Sequence, residues 1–254
     1  MKLFNNILDW LLVQKTRGPK QSLGFVPTMG NLHQGHVSLI KRAQQENDNV
    51  IVSIFVNQTQ FNTAEDFKHY PRTLAADLEL LNAADVDYCL CPTYEMMYPD
   101  QYHVQVHETK DSLILEGLHR PGHFNGVLTI VMKLFNVVQP TRAYFGEKDY
   151  QQFELIRKMV NALFMPIEVI SCPTIREKSG LALSSRNNRL SASGKNKADR
   201  FAALFHAATS CEMALENITA EGIEVEYIED LHQRRYAAVF IDGVRLIDNY
   251  CISP

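Results

Sequence analysis

Several things this chain lacks bound what it can be. It has five cysteines, Cys89, Cys91, Cys172, Cys211 and Cys251, in 254 residues. The number is odd and no Cys-x-x-Cys pair occurs, which argues against a disulfide framework or a zinc knuckle. Buried thiols in a reducing cytoplasm are the expectation. Positive charge is not in excess: Lys and Arg total 25 against 29 Asp and Glu, a net charge of −4. A broad basic surface is the usual footprint of nucleic-acid or membrane binding, so neither partner is expected. No apolar run approaches membrane-spanning length. Asp9 interrupts the N-terminal apolar stretch and no small-residue cleavage site follows, so a signal peptide is not expected. Internal repeats and low-complexity segments are also missing.

What is present is an ordinary globular composition, 46% hydrophobic and 21% charged. A chain of this size hides about 70–75% of its unfolded surface. Apolar spacing predicts a helix over 3–17, with Leu3, Ile7, Trp10, Leu11 and Gln14 near one face and Gly18-Pro19 as its stop. Short β-branched runs follow at 23–26, 50–56, 86–91, 142–145 and 167–170. Helical stretches lie between them at 36–46, 73–84, 126–138 and 151–164. This alternation predicts an α/β fold, a Rossmann-like doubly wound parallel sheet over 1–172. Residues 173–254 read as a smaller C-terminal α+β domain, with one helix over 198–215, strands at 223–228 and 237–241, and a turn at Asp242-Gly243. In doubly wound sheets, ligands bind beyond the carboxyl ends of the strands.

Pro27-Thr-Met-Gly-Asn-Leu-His-Gln-Gly-His36 occupies such a position. Gly30 and Gly35 let backbone approach a ligand, and a helix N-terminus favours phosphate. His33 and His36, three apart, can face one side of the first turn and donate to phosphoryl oxygens. Capping or packing is the plainer alternative, and a two-histidine metal pair a further one. Strand 50–56 ends at Asn57 and Gln60, whose amides suit the hydroxyl and carboxylate oxygens of a small acid; solvated turn residues are the alternative. Arg120 and His123 lie in Glu116–Val127, where His123 reads equally as a ligand contact or a structural histidine. Phe145-Gly-Glu-Lys-Asp-Tyr-Gln-Gln152 is another strand-to-helix junction, offering Lys148 for phosphate and Asp149 for ribose. Gly180-Leu-Ala-Leu-Ser-Ser-Arg-Asn187 carries hydroxyls and a guanidinium suited to a triphosphate, or forms a polar linker.

These strings together resemble the pantothenate synthetase (pantoate–β-alanine ligase) family of the nucleotidyltransferase superfamily. The likeness runs from about Gly24 to the Arg245-Leu-Ile-Asp-Asn249 string. Two departures stand out: Gln58 replaces a usual proline, implying a more flexible loop, and the C-terminal part is shorter than the family's usual domain. The resemblance implies ATP-dependent ligation of pantoate and β-alanine through a pantoyl adenylate, with AMP and pyrophosphate released. It implies catalytic roles for His36, His33, Lys148 and Arg186, with His36 leading. ATP contacts would come from Met29, Gly30, Asn31, Leu32, His33, Gln34, Gly35 and His36, from Gly146, Glu147, Lys148 and Asp149, and from Ile175, Leu183, Ser184, Ser185 and Arg186. Gln60, Gln152, Asn57, Val127 and Val131 would hold the acid. Mg2+ would accompany ATP, with Asp77 as a carboxylate candidate or merely a helix-surface group. A cytoplasmic homodimer is implied as well. Another small-molecule nucleotidyltransferase and a weakly active ATP-binding regulatory homologue remain as alternatives. The paired glutamines oppose the first, and the retained histidines, Lys148, Asp149 and Arg186 the second. Small size and acidic charge oppose an aminoacyl-tRNA synthetase.

Overall fold

The structure is a computed structural model that describes residues 1–18 and 21–252, so the Pro19 of the expected helix stop lies outside the described residues. The chain forms two compact units. One comprises Met1–Leu32, His36–Gly146 and Gln151–Cys172; the other comprises His33–Gly35, Glu147–Tyr150 and Pro173–Pro254.

The first unit holds six parallel strands: β1 (Lys2–Phe4), β2 (Leu23–Thr28), β3 (Asn49–Ile54), β4 (Tyr88–Leu90), β5 (Arg142–Gly146) and β6 (Glu168–Cys172). Their order is β1-β4-β3-β2-β5-β6. Sequence order reverses at β2, which pairs β3 on one side and β5 on the other. The carboxyl ends of β2 and β5, Thr28 and Gly146, therefore flank the switch point where such sheets bind ligands. The central strands consist of buried side chains in sequence, such as Leu23 to Val26 and Val50 to Val52, as a sheet covered on both faces requires. Helices α1 (Ile7–Thr16), α2 (Gln34–Glu46), α3 (Ala64–Lys68), α4 (Leu74–Ala83), α5 (Tyr94–Met97), α6 (Glu116–His119), α7 (His123–Val138) and α8 (Tyr150–Ala162) connect them.

The expected helix over 3–17 is really a strand and a helix. Leu3 and Phe4 pair with Cys89 and Leu90 of β4, and Asn6 caps α1 by accepting from the Leu8 N–H at 2.9 Å. Sheet pairing outweighs helical spacing at Leu3. Trp10 alone of that helix is buried, with its indole N–H on the Val137 carbonyl at 3.0 Å.

The second unit carries α9 (Ala192–Ala207), α10 (Cys211–Ala220) and an antiparallel meander of β7 (Glu224–Leu231), β8 (Arg234–Ile241) and β9 (Val244–Cys251). Where one helix is expected over 198–215 there are two, because Ser210 turns its hydroxyl onto the Met213 N–H at 3.1 Å and starts α10. The third strand, β9, goes beyond the two expected. Asp242 and Gly243 have φ of 52° and 71°, the two positive values of a tight hairpin turn. Phe201, Phe205, Val239 and Ile241 centre the core here.

All five cysteines are free, but only Cys89 and Cys172 are fully buried; Cys251 is exposed on β9. The buried-thiol expectation holds for two of the five. Among the described residues no helix is long and apolar enough to cross a membrane.

Candidate active site

In the first unit, the loop after β2 is pinned from below. Gly30 and Asn31 both adopt positive φ, 80° and 51°. Their placement exposes two successive N–H groups to Asp77: Asn31 N donates to Oδ2 at 2.9 Å and Leu32 N to Oδ1 at 2.7 Å. The Thr73 hydroxyl also donates to Oδ2 at 3.1 Å, and Gly30 N donates to the Thr28 hydroxyl at 3.2 Å. The amides of Gly30, Asn31 and Leu32 donate to Thr28 and Asp77. Asp77 is buried and anchors the loop, which corrects its reading as a helix-surface carboxylate. Among the described residues no group of three or more His, Cys, Asp or Glu side chains gathers around a common point.

Gln60 lies in a 3-10 turn, Gln58–Gln60, after β3. Asn57 organises it. Its amide Nδ2 donates to Gln60 Oε1 at 3.0 Å and to the Gly126 carbonyl at 3.2 Å, while its Oδ1 accepts from Tyr98 and Thr59 hydroxyls at 2.7 and 3.0 Å. Asn57 is 1% exposed, so its amide is fully used inside the protein. The Gln60 backbone is held from the other side: His123 Nδ1 donates to its carbonyl at 2.8 Å and Arg120 Nη2 at 3.4 Å. With Nδ1 protonated, Nε2 of His123 accepts from Arg120 Nη1 at 3.2 Å, and the Glu116 carboxylate lies 3.7 Å from that Nη1. Buried Glu116 and His123, with half-buried Arg120 between them, thus form a chain that ends on Gln60. The position of Gly126 inside α7 has a steric reason that helical spacing did not reveal: a Cβ there would lie 2.4 Å from the Thr59 carbonyl oxygen and 2.7 Å from Gln60 N. A glycine inside a strongly apolar helix was the available signal.

Val127 and Val131 are both buried in α7. The two consecutive glutamines of α8 part company. Gln151 is buried, accepts from Glu116 N at 3.1 Å and donates to the Asp111 and Ile114 carbonyls at 2.8 Å each. Gln152 is half-buried, with its side chain directed elsewhere around the helix. His36 is half-buried in the first turn of α2.

In the second unit, His33 immediately precedes α2 and accepts from Gly35 N on Nδ1 at 3.1 Å. A Cβ on Gly35 would meet the His33 ring at 2.8 Å, so only glycine permits this fold-back. With Nδ1 accepting, the neutral ring carries its proton on Nε2 as a donor. Burial first, and the positive charge of Lys148 second, hold His33 below the ordinary histidine value of 6.5. A depressed histidine value means that protonating the ring costs the folded state more than the unfolded one. Stability is therefore full above about pH 6.5 and is lost as pH falls from there through the folded-state value. Urea unfolding between about pH 7.5 and about pH 5 is expected to show a loss that the His33→Gln variant lacks. Equal pH slopes in the two proteins would assign the loss to other groups.

Glu147–Asp149 forms a 3-10 turn in which the Lys148 ammonium lies 3.9 Å from Asp149. Ser184 caps another, Ser185–Arg189, by accepting from Arg186 N at 3.2 Å. Ser184, Ser185 and Arg186 are all half-buried, and Leu183 N donates to the Ile175 carbonyl at 2.9 Å, which closes a small loop ahead of them. Buried Asn187 seals that loop by donating to the Ala182 carbonyl at 3.0 Å.

Comparison with known proteins agrees with this architecture. The family model described as pantoate-beta-alanine ligase matches residues 3–251. A pantothenate synthetase of Legionella pneumophila is 57% identical over 99% of this chain and 100% of its own length; one of Coxiella burnetii is 48% identical over 98% and 96%. A crystal structure of pantoate-beta-alanine ligase from Francisella tularensis, complexed with beta-gamma ATP and beta-alanine, superposes with a TM-score of 0.96 at 42% identity, covering 99% of this chain and 98% of that one. Pantothenate synthetase from Thermus thermophilus gives 0.92 at 38% identity over the whole of both chains. The short C-terminal part is therefore shared with full-length relatives. This chain belongs to the pantoate–β-alanine ligase family.

Proposed function

We propose that this protein joins pantoate to β-alanine at the expense of ATP, through a pantoyl adenylate. Family membership over 3–251 carries the reading; the Francisella ligase was crystallised with an ATP analogue and β-alanine. In the first step a pantoate carboxylate oxygen attacks the α-phosphorus and pyrophosphate leaves. In the second the β-alanine amine attacks the acyl carbon and AMP leaves. A carboxylate is a poor electrophile; adenylation supplies a leaving group, and catalysis is then mainly positioning and charge stabilisation.

Family membership and the chemistry of the residues support a division of labour. Gln60 and Gln152 bind the acid, with Val127 and Val131 forming an apolar wall. Asn57 acts through Gln60, since its own amide is fully used. His33 Nε2, His36, Lys148, Ser184, Ser185 and Arg186 meet the phosphates, and Met29, Gln34, Gly146, Asp149, Ile175 and Leu183 the rest of ATP. Mg2+ would be carried on triphosphate oxygens, as that small, hard ion commonly is. We assign it no protein ligand, because Asp77 is committed to backbone amides. A reducing cytoplasmic setting and a homodimer complete the reading; light scattering reads the latter.

ATP–pyrophosphate exchange tests the function. Exchange is expected only with pantoate present, and exchange that ignores pantoate would instead favour another nucleotidyltransferase. His36→Ala is expected to lower exchange by about 10²–10³-fold, the effect of removing one preorganised donor to a developing anion. Circular dichroism separates this from misfolding: an unfolded variant would mean that His36 holds the fold instead.

A further inference from the structure

Two adjacent residues of β9, Asp248 and Asn249, reach the phosphate-side segments of the second unit without being among the expected ligands. Neighbouring strand residues point to opposite faces, and each of these two serves a different segment. Asn249 is 3% exposed. Its Nδ2 donates to the carbonyls of Glu147 at 3.0 Å and Lys148 at 2.8 Å. Its Oδ1 accepts from Arg234 Nη1 at 2.5 Å, and Arg234 also stacks 3.7 Å over the Tyr150 ring and lies 3.5 Å from the Glu147 carboxylate. The turn bearing Lys148 is thus clamped by one amide group at consecutive carbonyls.

Asp248 is buried too. It takes both guanidinium nitrogens of Arg176, at 2.7 and 2.9 Å, and His206 Nε2 at 3.0 Å. Arg176 continues to the Gly180 carbonyl at 3.0 Å and the Asn249 carbonyl at 3.1 Å. Arg176 also bridges Ala182, two residues before Ser184. A direct bond joins the two β9 residues, since Asn249 N donates back to Asp248 Oδ1 at 2.7 Å.

We infer that Asn249 and Asp248 are positioning residues of the adenylation step: Asn249 sets the Lys148 turn, and Asp248, through Arg176, sets the loop leading to Ser184–Arg186. This rests on the roles proposed above for Lys148 and Arg186. A bidentate Asp–Arg pair and a doubly donating amide are both rigid connections, and displacement of a positioned group by about 1 Å costs about 10²-fold in rate.

The test uses the full-length protein and a double-mutant cycle. Asn249→Ala is expected to lower kcat of ATP–pyrophosphate exchange by about 10²-fold, with the pantoate KM unchanged within about twofold. On a Lys148→Ala background the same change should add little, because residues that act as a unit are not additive. Asn249→Asp, which keeps the size but replaces the donor by an acceptor facing two carbonyls, should match Asn249→Ala. Asp248→Asn should be non-additive with Arg186→Ala in the same way. Lys148→Ala with full activity would overturn the role of Lys148 itself. An impaired Lys148→Ala with a fully additive Asn249→Ala, or an Asn249→Ala that lowers Tm while kcat holds, would overturn the positioning role alone.

Discussion

Gly126→Ala is expected to lower kcat/KM for pantoate by about 10²-fold or more, the scale of a 1 Å misplacement of a binding group. The added methyl would sit 2.4 Å from the Thr59 carbonyl oxygen and 2.7 Å from Gln60 N, and backbone on both sides cannot swing away as a flexible side chain can. Either α7 withdraws or the Gln58–Gln60 turn shifts. Both moves break the Asn57 to Gly126 carbonyl bond and disturb the His123 contact to the Gln60 carbonyl. Overpacking of this kind costs about 1–3 kcal/mol of stability. A helix-propensity effect alone would act oppositely, since alanine is the better helix former by about 1 kcal/mol. Steady-state kinetics with pantoate and with ATP varied separately, beside a thermal melt, resolves the two. A more stable variant with an unaltered pantoate KM would show that the helix tolerates the methyl.

Asp77→Ala is expected to raise the KM for ATP by at least an order of magnitude and to destabilise the first unit. It removes the acceptor of two backbone N–H groups and a threonine hydroxyl in a buried setting. Hydrogen bonds to a charged group are worth about 1.5–3 kcal/mol, and donors left unsatisfied add a further desolvation cost. Asn31 also holds a positive φ of 51°, uncommon for a residue other than glycine, at the point where this anchor takes its N–H. The experiment distinguishes an anchor from a metal ligand by titrating Mg2+. If Asp77 held the ion, excess Mg2+ would recover activity in Asp77→Asn; an anchor predicts that no concentration does so.

Much of the fold was legible because two periodicities rarely conflict in this chain. Fully apolar runs such as 50–52 read as strands covered on both faces, and they alternate with helical stretches at intervals that suit a parallel sheet. The misreadings fall where a short-range pattern met a long-range partner. Leu3 carries helical spacing yet pairs with Cys89, and Ala208 sits in an alanine-rich run that the Ser210 cap interrupts. Cross-strand pairing and capping depend on residues that a local window does not contain.

The site strings were legible by type, and less so by role. Asn57, Asp77 and Gln151 each carry side chains suited to a ligand, yet each is engaged by backbone or side-chain groups of the first unit. Residue type gives a side chain's donors and acceptors; only the fold says which of them are already used. Gly126 is the converse case, a residue without functional groups whose importance is wholly steric.

The sequence by itself determined that this chain has a doubly wound parallel sheet, that Gly30, His33, Gly35, His36 and Gly146 sit at strand-to-helix junctions, and that its strings resemble one ligase family. Those are properties of local pattern and of contiguous segments. The tertiary structure alone decided that Asp77 holds the Gly30–Leu32 backbone, that Asn57 and His123 orient Gln60, and that β9 supports the Lys148 turn from residues 101 and 102 positions away. Hydrogen bonds between residues so far apart in the chain form only once packing has brought them together, so no local pattern records them.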